Sequence, residues 1–284
     1  MSIFVSRSCD LCGAETAEHL LTKNGASYCR CGSCGFIYTD QCAEDSKAAN
    51  ADYFAATLEQ YARKAGSPRK QAAWRRILAS LEPHRRLGTL LEVGANVGGF
   101  LAAARDQGWK AVGVEPSLPC ARFAREQRGL DVRDGVLEEA GLPENAFDVV
   151  YANAVFEHLP KPGLVFQEVE RILRPGGVVL IDTVNWDSYT RRNVGQEWKL
   201  IDPRVHLCLY TPDTLARYCR NAGLEVVRMH SHGVRFRPNH APPLSGFARI
   251  WEEVRKAPWS ALSRFTLKGD SIAVLARKPE TSGN

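Results

Sequence analysis

Two acids close two apolar runs 23 residues apart. Thr89-Leu90-Leu91-Glu92-Val93 leads into the small-residue turn Gly94-Ala95-Asn96-Val97-Gly98-Gly99, and Ala111 to Val114 ends in Glu115. A strand that feeds a helix through a tight glycine turn lets a ligand approach the backbone beside the positive end of that helix. An acid at the end of the following strand is placed to accept hydrogen bonds from ribose hydroxyls. Together Glu92 and Glu115 read as a nucleoside site.

A second constellation lies in the first 43 residues. Cys9-Asp10-Leu11-Cys12 and Cys31-Gly32-Ser33-Cys34 are two C-x2-C pairs with 18 residues between them, the spacing of a zinc ribbon. Gly13 and Gly35 follow the two pairs and suit tight knuckle turns. Four thiolates close a tetrahedral structural Zn2+ site with no position open for catalysis. A head of this size cannot hold itself together by core burial, so a metal answers a physical need. Cys29 and Cys42 are left over; Cys29 competes with Cys31 but lacks the x2 spacing.

The elements that would position these residues follow from composition and pattern. At 284 residues, 44% hydrophobic and 24% charged, the chain is globular in composition and long enough for one large core or two smaller ones. No apolar run approaches the ~20 residues that span a bilayer, and no signal peptide opens the chain, so a soluble cytoplasmic protein is expected. In that compartment nine cysteines imply metal or free thiols rather than disulfides. Asp52 to Lys64 and Pro68 to Leu81 read as helices, with Trp74, Ile77, Leu78 and Leu81 on one face. Residues 63–86 carry eight Lys/Arg and one acid, Glu82, so that segment alone is +7 and the rest of the chain is about −2, for a net +5. Its basic residues lie off the apolar stripe and read as a solvated face. The competing reading is a phosphate-binding surface, which no RNA-binding aromatic motif accompanies. Tyr53, Phe54 and Tyr61 are placed to form a lid.

From Leu87 to Lys278 strands and helices alternate. Strands are expected at Leu90–Val93, Ala111–Glu115, Val132 onward, Phe147–Ala152, Val178–Asp182, Leu224–Met229 and Ser271–Arg277. Helices are expected at Gly98–Asp106, Ser117–Gln127, Pro162–Leu173 and Pro212–Asn221, with Arg174-Pro175-Gly176-Gly177 as a turn. Such alternation gives a parallel sheet covered by helices on both faces. Gly233 to Leu267, with Pro238, Pro242, Pro243 and Pro258, reads as an insertion outside the core.

Five motifs occur in order: Leu90-Leu91-Glu92-Val93-Gly94-x-Asn96-x-Gly98, Gly113-Val114-Glu115, Phe147-Asp148-Val149-Val150, Phe156-Glu157-His158-Leu159 and Leu173-Arg174-Pro175-Gly176-Gly177. In this register, over roughly residues 85–278, the chain resembles the class I S-adenosylmethionine-dependent methyltransferases. The likeness implies a Rossmann-like, doubly wound, mostly parallel seven-stranded sheet with a reversed last strand, here joined to a small zinc-binding head. The division expected is a head at 1–43, a helical bridge or lid at 44–84, and a methyltransferase core at 85–284 with the insertion 233–267. One departure is Asn96, where the family has a glycine; Asn tolerates left-handed backbone angles, so the turn can survive. A dinucleotide dehydrogenase would need G-x-G-x-x-G, which Gly94-x-Asn96-x-x-Gly99 matches poorly.

The resemblance also implies roles. Glu92 orients the amino group of the cofactor's methionine part, Gly94 and Gly98 allow close backbone approach, and Glu115 holds the ribose, with Pro116 beginning the next helix. Leu137 lies where the family's loop passes the adenine, and Asn153 lines the cofactor pocket. The sulfonium brings an activated methyl, so the protein must align a nucleophile and, for a hydroxyl, supply a base. His158, just past the fourth strand, and His206 are the candidates, since neutral imidazole is available near pH 7. The segment Asp202-Pro203-Arg204-Val205-His206-Leu207-Cys208-Leu209-Tyr210 resembles that of sugar methyltransferases with a zinc-binding head. Carbon-methylating members carry Tyr and Glu where this chain has Pro203 and Val205, which turns the expectation toward oxygen. Trp198 and Tyr210 either shape the acceptor pocket or serve as core aromatics.

The reading is therefore a methyltransferase acting on a small-molecule acceptor, a saccharide or other biosynthetic intermediate. Nucleic acid is disfavoured as partner, no membrane is expected, and an oligomer is compatible. The alternatives are an RNA methyltransferase using the zinc head and basic bridge, or a non-catalytic protein that binds S-adenosylmethionine or a partner.

Overall fold

The computed structural model describes residues 4–43, 56–237 and 245–280. The head consists of five short strands: β1 (Phe4–Ser6), β2 (Ala17–Lys23), β3 (Ala26–Cys31), β4 (Ile37–Thr39) and β5 (Gln41–Ala43). Asn24 and Gly25, at φ +53° and +79°, make the two-residue turn between β2 and β3. An Asn-Gly pair adopts two successive left-handed residues at little cost, and their twist matches that of the strands they join.

Two helices follow, α1 (Leu58–Ala65) and α2 (Pro68–Leu81). Ser67 caps α2 by accepting from Lys70 N, and Pro68 takes the first turn, where a missing N–H costs nothing. Leu78 and Leu81 are buried, with Trp74 and Ile77 packed beside them, while Arg75 and Arg76 face solvent. The apolar stripe expected of this helix is present and its basic side is solvated. The first part of the expected Asp52–Lys64 helix, with Tyr53 and Phe54, lies outside the described residues.

The core runs β6 (Thr89–Val93), α3 (Gly99–Asp106), β7 (Lys110–Glu115), α4 (Leu118–Arg128), β8 (Asp131–Asp134), β9 (Phe147–Asn153), α5 (Pro162–Ile172) and β10 (Leu173–Val184). It continues with α6 (Tyr189–Val194), β11 (Cys208–Leu209), α7 (Pro212–Asn221), β12 (Glu225–His232), α8 (Gly246–Thr266) and β13 (Ser271–Arg277). Seven strands form one sheet in the order β12-β13-β10-β9-β6-β7-β8. The pairs from β10 through β8 are parallel, and β13 lies antiparallel between β10 and β12. This is the Rossmann-like, mostly parallel sheet with a reversed last strand.

Alternate residues of the central strands feed two cores. Leu91, Val150, Val179 and Val274 pack on one face, and Leu90, Val149, Val178 and Leu275 on the other. Strands buried on both faces read as continuous apolar runs, as they do here. The first face is covered by α5, α7 and the head, through Phe36 and Tyr38 against Tyr210 and Tyr218. The second is covered by α2, α3 and α4.

One expectation changes, and two features are added. Arg174-Pro175-Gly176-Gly177 is an irregular stretch inside β10, where the register against β9 shifts between Leu173 and Val178, rather than a turn before it. A Cβ on Gly177 would sit 2.9 Å from Arg174 O and 3.0 Å from Phe147 O, so only glycine lets the strand resume there. The segment 233–267 contains the 21-residue α8, with Pro258 inside it. Its Phe247, Ile250, Trp251, Val254 and Phe265 are exposed while Ser263 is buried, so it adds little to the core. Finally, β11 pairs with β4 of the head; the four-stranded order β11-β4-β3-β2 joins these head strands to the core through a shared sheet.

Candidate active site

Glu92 and Glu115 face one cavity of about 940 Å³ at the carboxyl ends of β6 and β7. Open α/β sheets bind ligands in this position. The turn between β6 and α3 is anchored on β7: Gly94 N and Ala95 N both donate to Val114 O, at 2.8 and 3.1 Å. Gly94 has φ +71°, and a Cβ there would lie 2.6 Å from Val155 Cγ2. Asn96 takes φ +49°, so the non-glycine residue does adopt the left-handed angle. That angle aims its N–H at Glu115 Oε2, 2.7 Å away, while Ser117 N donates to Glu115 Oε1 at 2.8 Å. Burial pushes Glu115 up to about 7, against the pull of these two N–H groups.

Glu92 is buried and its Oε2 has no hydrogen-bond partner. Burial raises its pKa well above the carboxylate range, and the nearby Glu115 adds to the rise. A buried carboxyl oxygen without a partner at a cavity wall is matched to a ligand donor, most strongly a cationic one. Pro116, Leu137, Asn153 and Asn96 also line the cavity. Leu137 starts a 3-10 turn after β8, and Asn153 is the last residue of β9. Gly98 does not line it. At φ +73° it begins α3, and a Cβ there would collide with Leu130 Cδ1 at 2.3 Å, so its smallness serves the packing of α3 on α4.

The bridge helices contribute Tyr61, Lys64, Lys70 and Trp74 to the same cavity. Among these only Tyr61 was legible beforehand, as an aromatic in the lid.

His158 and His206 both line the cavity, with ring centroids 5.0 Å apart. His158 Nδ1 lies 2.8 Å from Val205 O, and His206 Nδ1 lies 2.8 Å from Leu200 O. A carbonyl only accepts, so each contact assigns the proton to Nδ1 and leaves the basic lone pair of the neutral ring on Nε2. Burial lowers the pKa of His158, Glu157 opposes this, and His206 adds to the lowering. Glu157 completes the group: its carboxylate and the two imidazoles have ligand-capable atoms within 4.8 Å of one another. It is buried and accepts from Thr183 Oγ1 at 2.7 Å. Glu157 stood in a recognised motif without an assigned role; its adjacency to His158 was the signal. Trp198 and Tyr210 are both buried in the core and do not line the cavity; Tyr210 donates to Phe156 O.

The four cysteines of the head converge. Cys9, Cys12, Cys31 and Cys34 present sulfurs within 4.8 Å of one another, with Cys9–Cys34 at 3.4 Å and Cys12–Cys31 at 3.5 Å. Gly13 and Gly35, at φ +74° and +73°, donate back to Cys9 O and Cys31 O, closing the two knuckles. This donor set and spacing fit a tetrahedral metal. Cys29 points elsewhere, to Tyr38 O at 3.4 Å.

A model of the methyltransferase domain matches residues 63–229. The ubiquinone biosynthesis O-methyltransferase of Leptothrix cholodnii is 28% identical over 162 residues, which cover 52% of this chain and 68% of that protein. Among solved structures, a chain from the Haloferax volcanii complex of the Trm112 methyltransferase activator with a methyltransferase aligns at a TM-score of 0.57. It has 18% identity and covers 83% of this chain and 98% of its own. A SAM-dependent methyltransferase of Archaeoglobus fulgidus aligns at 0.53, with 20% identity, covering 73% and 92%. With the sheet order, the glycine turn and the domain match in agreement, this chain belongs to the methyltransferase domain family and is an S-adenosylmethionine-dependent methyltransferase.

Proposed function

We propose that this enzyme methylates a hydroxyl of a small molecule, a saccharide or other natural-product intermediate, with His206 as general base and His158 beside it. The observation that carries this reading is the pair of imidazoles, 5.0 Å apart, in the cavity that also holds Glu92 and Glu115. The O-methyltransferase named above supports an oxygen acceptor, and Pro203 and Val205 speak against carbon.

Bound S-adenosylmethionine supplies a methyl group already activated on a sulfonium. Glu92 accepts from the amino group of its methionine part, Glu115 accepts from the ribose hydroxyls, and Leu137, Pro116 and Asn153 line the nucleoside. His206 Nε2 takes the acceptor's proton as oxygen attacks, an assistance worth roughly 10²–10⁴-fold. Glu157, close to both rings, stabilises the imidazolium that results. Cys9, Cys12, Cys31 and Cys34 hold a structural Zn2+, which supplies cross-linking of the head and no chemistry. The working units are the head at 1–43, the lid at 44–84 and the transferase core at 85–284 with its insertion at 233–267, in a cytoplasmic protein. No described helix is long and apolar enough to cross a membrane.

Isothermal titration with S-adenosylhomocysteine, followed by a panel of hydroxyl, amine and carbon acceptors, tests the reading. Transfer confined to hydroxyls and abolished in His206→Gln supports it. Failure to bind S-adenosylhomocysteine, or full transfer by His206→Gln, sinks it.

A further inference from the structure

One side chain of the head reaches the backbone behind both histidines. Arg7 Nη2 donates to Pro160 O at 2.7 Å, two residues past His158. Its Nη1 donates to Leu207 O at 3.2 Å, one residue past His206, and to Thr39 Oγ1 at 2.8 Å. The same two segments meet directly where Cys208 Sγ donates to Leu159 O at 3.3 Å. A second contact from the head lands on His206 itself: Tyr28 OH donates to its carbonyl at 2.6 Å. Thr39 N, on β4, donates to Leu207 O at 3.0 Å, so the strand that pairs with β11 also ends on this segment.

We propose that Arg7 is a positioning residue, a fork from the zinc-type head that fixes the spacing of His158 and His206 by holding both of their loops at once. The guanidinium suits the task because its planar donors diverge toward two acceptors, whereas a lysine ammonium is a single point. Pro160 and Leu207 lie 47 residues apart in sequence; the segments touch directly through His158 Nδ1 and Val205 O and through Cys208 Sγ and Leu159 O, and Arg7 adds a brace from the head that holds both at once. The placement matters because the reacting groups must meet within a few tenths of an ångström, and a displacement of ~1 Å costs about 10²-fold. The head is thereby part of the catalytic geometry although none of its own groups reacts. This inference rests on the assignment of the imidazoles as base.

The test needs no acceptor. The two rings influence each other electrostatically, with His206 lowering the pKa of His158. Long-range proton–nitrogen NMR of the full chain with S-adenosylhomocysteine bound follows each ring, and His158→Gln and His206→Gln assign the signals. In the native chain, His206→Gln moves the midpoint of His158 upward, because a like charge is removed. In Arg7→Gln that shift is expected to shrink, with S-adenosylhomocysteine affinity unchanged within about twofold, since the cofactor residues make no contact with Arg7. Arg7→Lys, which keeps the charge and loses the fork, is expected to behave as Arg7→Gln. If Arg7→Gln does not fold, Tyr28→Phe removes only the hydroxyl that holds His206 O and is expected to reduce the shift. An undiminished shift in Arg7→Gln, or in Tyr28→Phe where that variant stands in, overturns the positioning role. Full methyl transfer by His206→Gln would instead overturn the base assignment and leave the NMR result on Arg7 as it stands.

Discussion

The amide of Asn96 donates to Glu115 across 2.7 Å, and it does so only because Asn96 holds a left-handed backbone, φ +49°. The turn after β6 therefore orients the acid at the end of β7. A β-branched residue is strained at that angle by ~1–3 kcal/mol. Asn96→Val is expected to weaken S-adenosylhomocysteine binding about tenfold, while Asn96→Gly stays within about threefold because glycine adopts the angle freely. Titration calorimetry on the two variants separates the outcomes; equal losses would show that the angle is not what matters.

The buried acids give a pH signature. Glu115 is raised to about 7 and Glu92 is also raised, so between the ordinary carboxylate range and those values the folded chain holds more protons than the unfolded one. Stability contributed by both groups is thus present at low pH and falls as pH rises, for Glu115 through the window from about 4.5 to about 7 and by roughly 3 kcal/mol in total. Glu115→Gln is expected to melt near the native chain at pH 5 and above it at pH 8, in the absence of ligand. The same variant is expected to bind S-adenosylhomocysteine roughly 10–100-fold more weakly, the scale of a lost hydrogen bond to a charged group. Scanning calorimetry at the two pH values reads the first effect, and a melting difference that does not grow with pH would count against it.

Two of the motifs that marked the family from sequence do no chemistry. Asp148, completely buried, accepts from Leu87, Gly88 and Thr89 N at the start of β6 and pairs with Arg174 at 2.5 Å. Arg174 also reaches His84 O and Pro175 O. Burial alone would raise Asp148, but Arg174 and the N–H groups bring it below its usual value. Removing the cation leaves a buried charge, which costs ~3–5 kcal/mol. Arg174→Met is expected to lower the melting temperature strongly and leave S-adenosylhomocysteine affinity of the folded fraction unchanged, because the pair sits at the opposite end of β6 from Glu92. Since the pair's contribution is lost as pH falls through the lowered value of Asp148, the gap between native and variant should narrow below about pH 4. A tenfold loss of affinity in Arg174→Met would contradict this separation.

The sheet was legible because strands buried on both faces leave continuous apolar runs, and the glycine turn with its two acids is a local pattern. What local pattern cannot carry is the meeting of distant segments. The pairing of β4 with Cys208–Leu209, some 170 residues later, depends on tertiary packing, as do the convergence of Glu157 with two histidines and the arrival of Lys64 and Trp74 at the cavity. Gly98 is ambiguous for a related reason: a glycine in a ligand-binding turn and a glycine at a helix crossing look alike until Leu130 is seen against it. The helix α8 was hidden because four prolines in 233–267 suggest irregular chain, yet three of them precede its start and Pro258 alone interrupts it.

The cysteine cluster makes the last prediction. Four sulfurs within 4.8 Å in a small head are held either by a metal or by thiol packing alone, and the two differ in magnitude. Structural zinc contributes ~10–16 kcal/mol of apparent binding free energy near neutral pH, and the thiols must lose their protons to bind it. The purified chain is expected to carry zinc, to release it on acidification as protons compete, and to lose it in Cys12→Ser and Cys31→Ser. Because β4 carries the pairing to β11, chelation is expected to lower the melting temperature of the whole chain rather than of the head alone. Elemental analysis with calorimetry before and after a strong chelator decides the matter. A metal-free chain whose transition does not move would show that packing suffices.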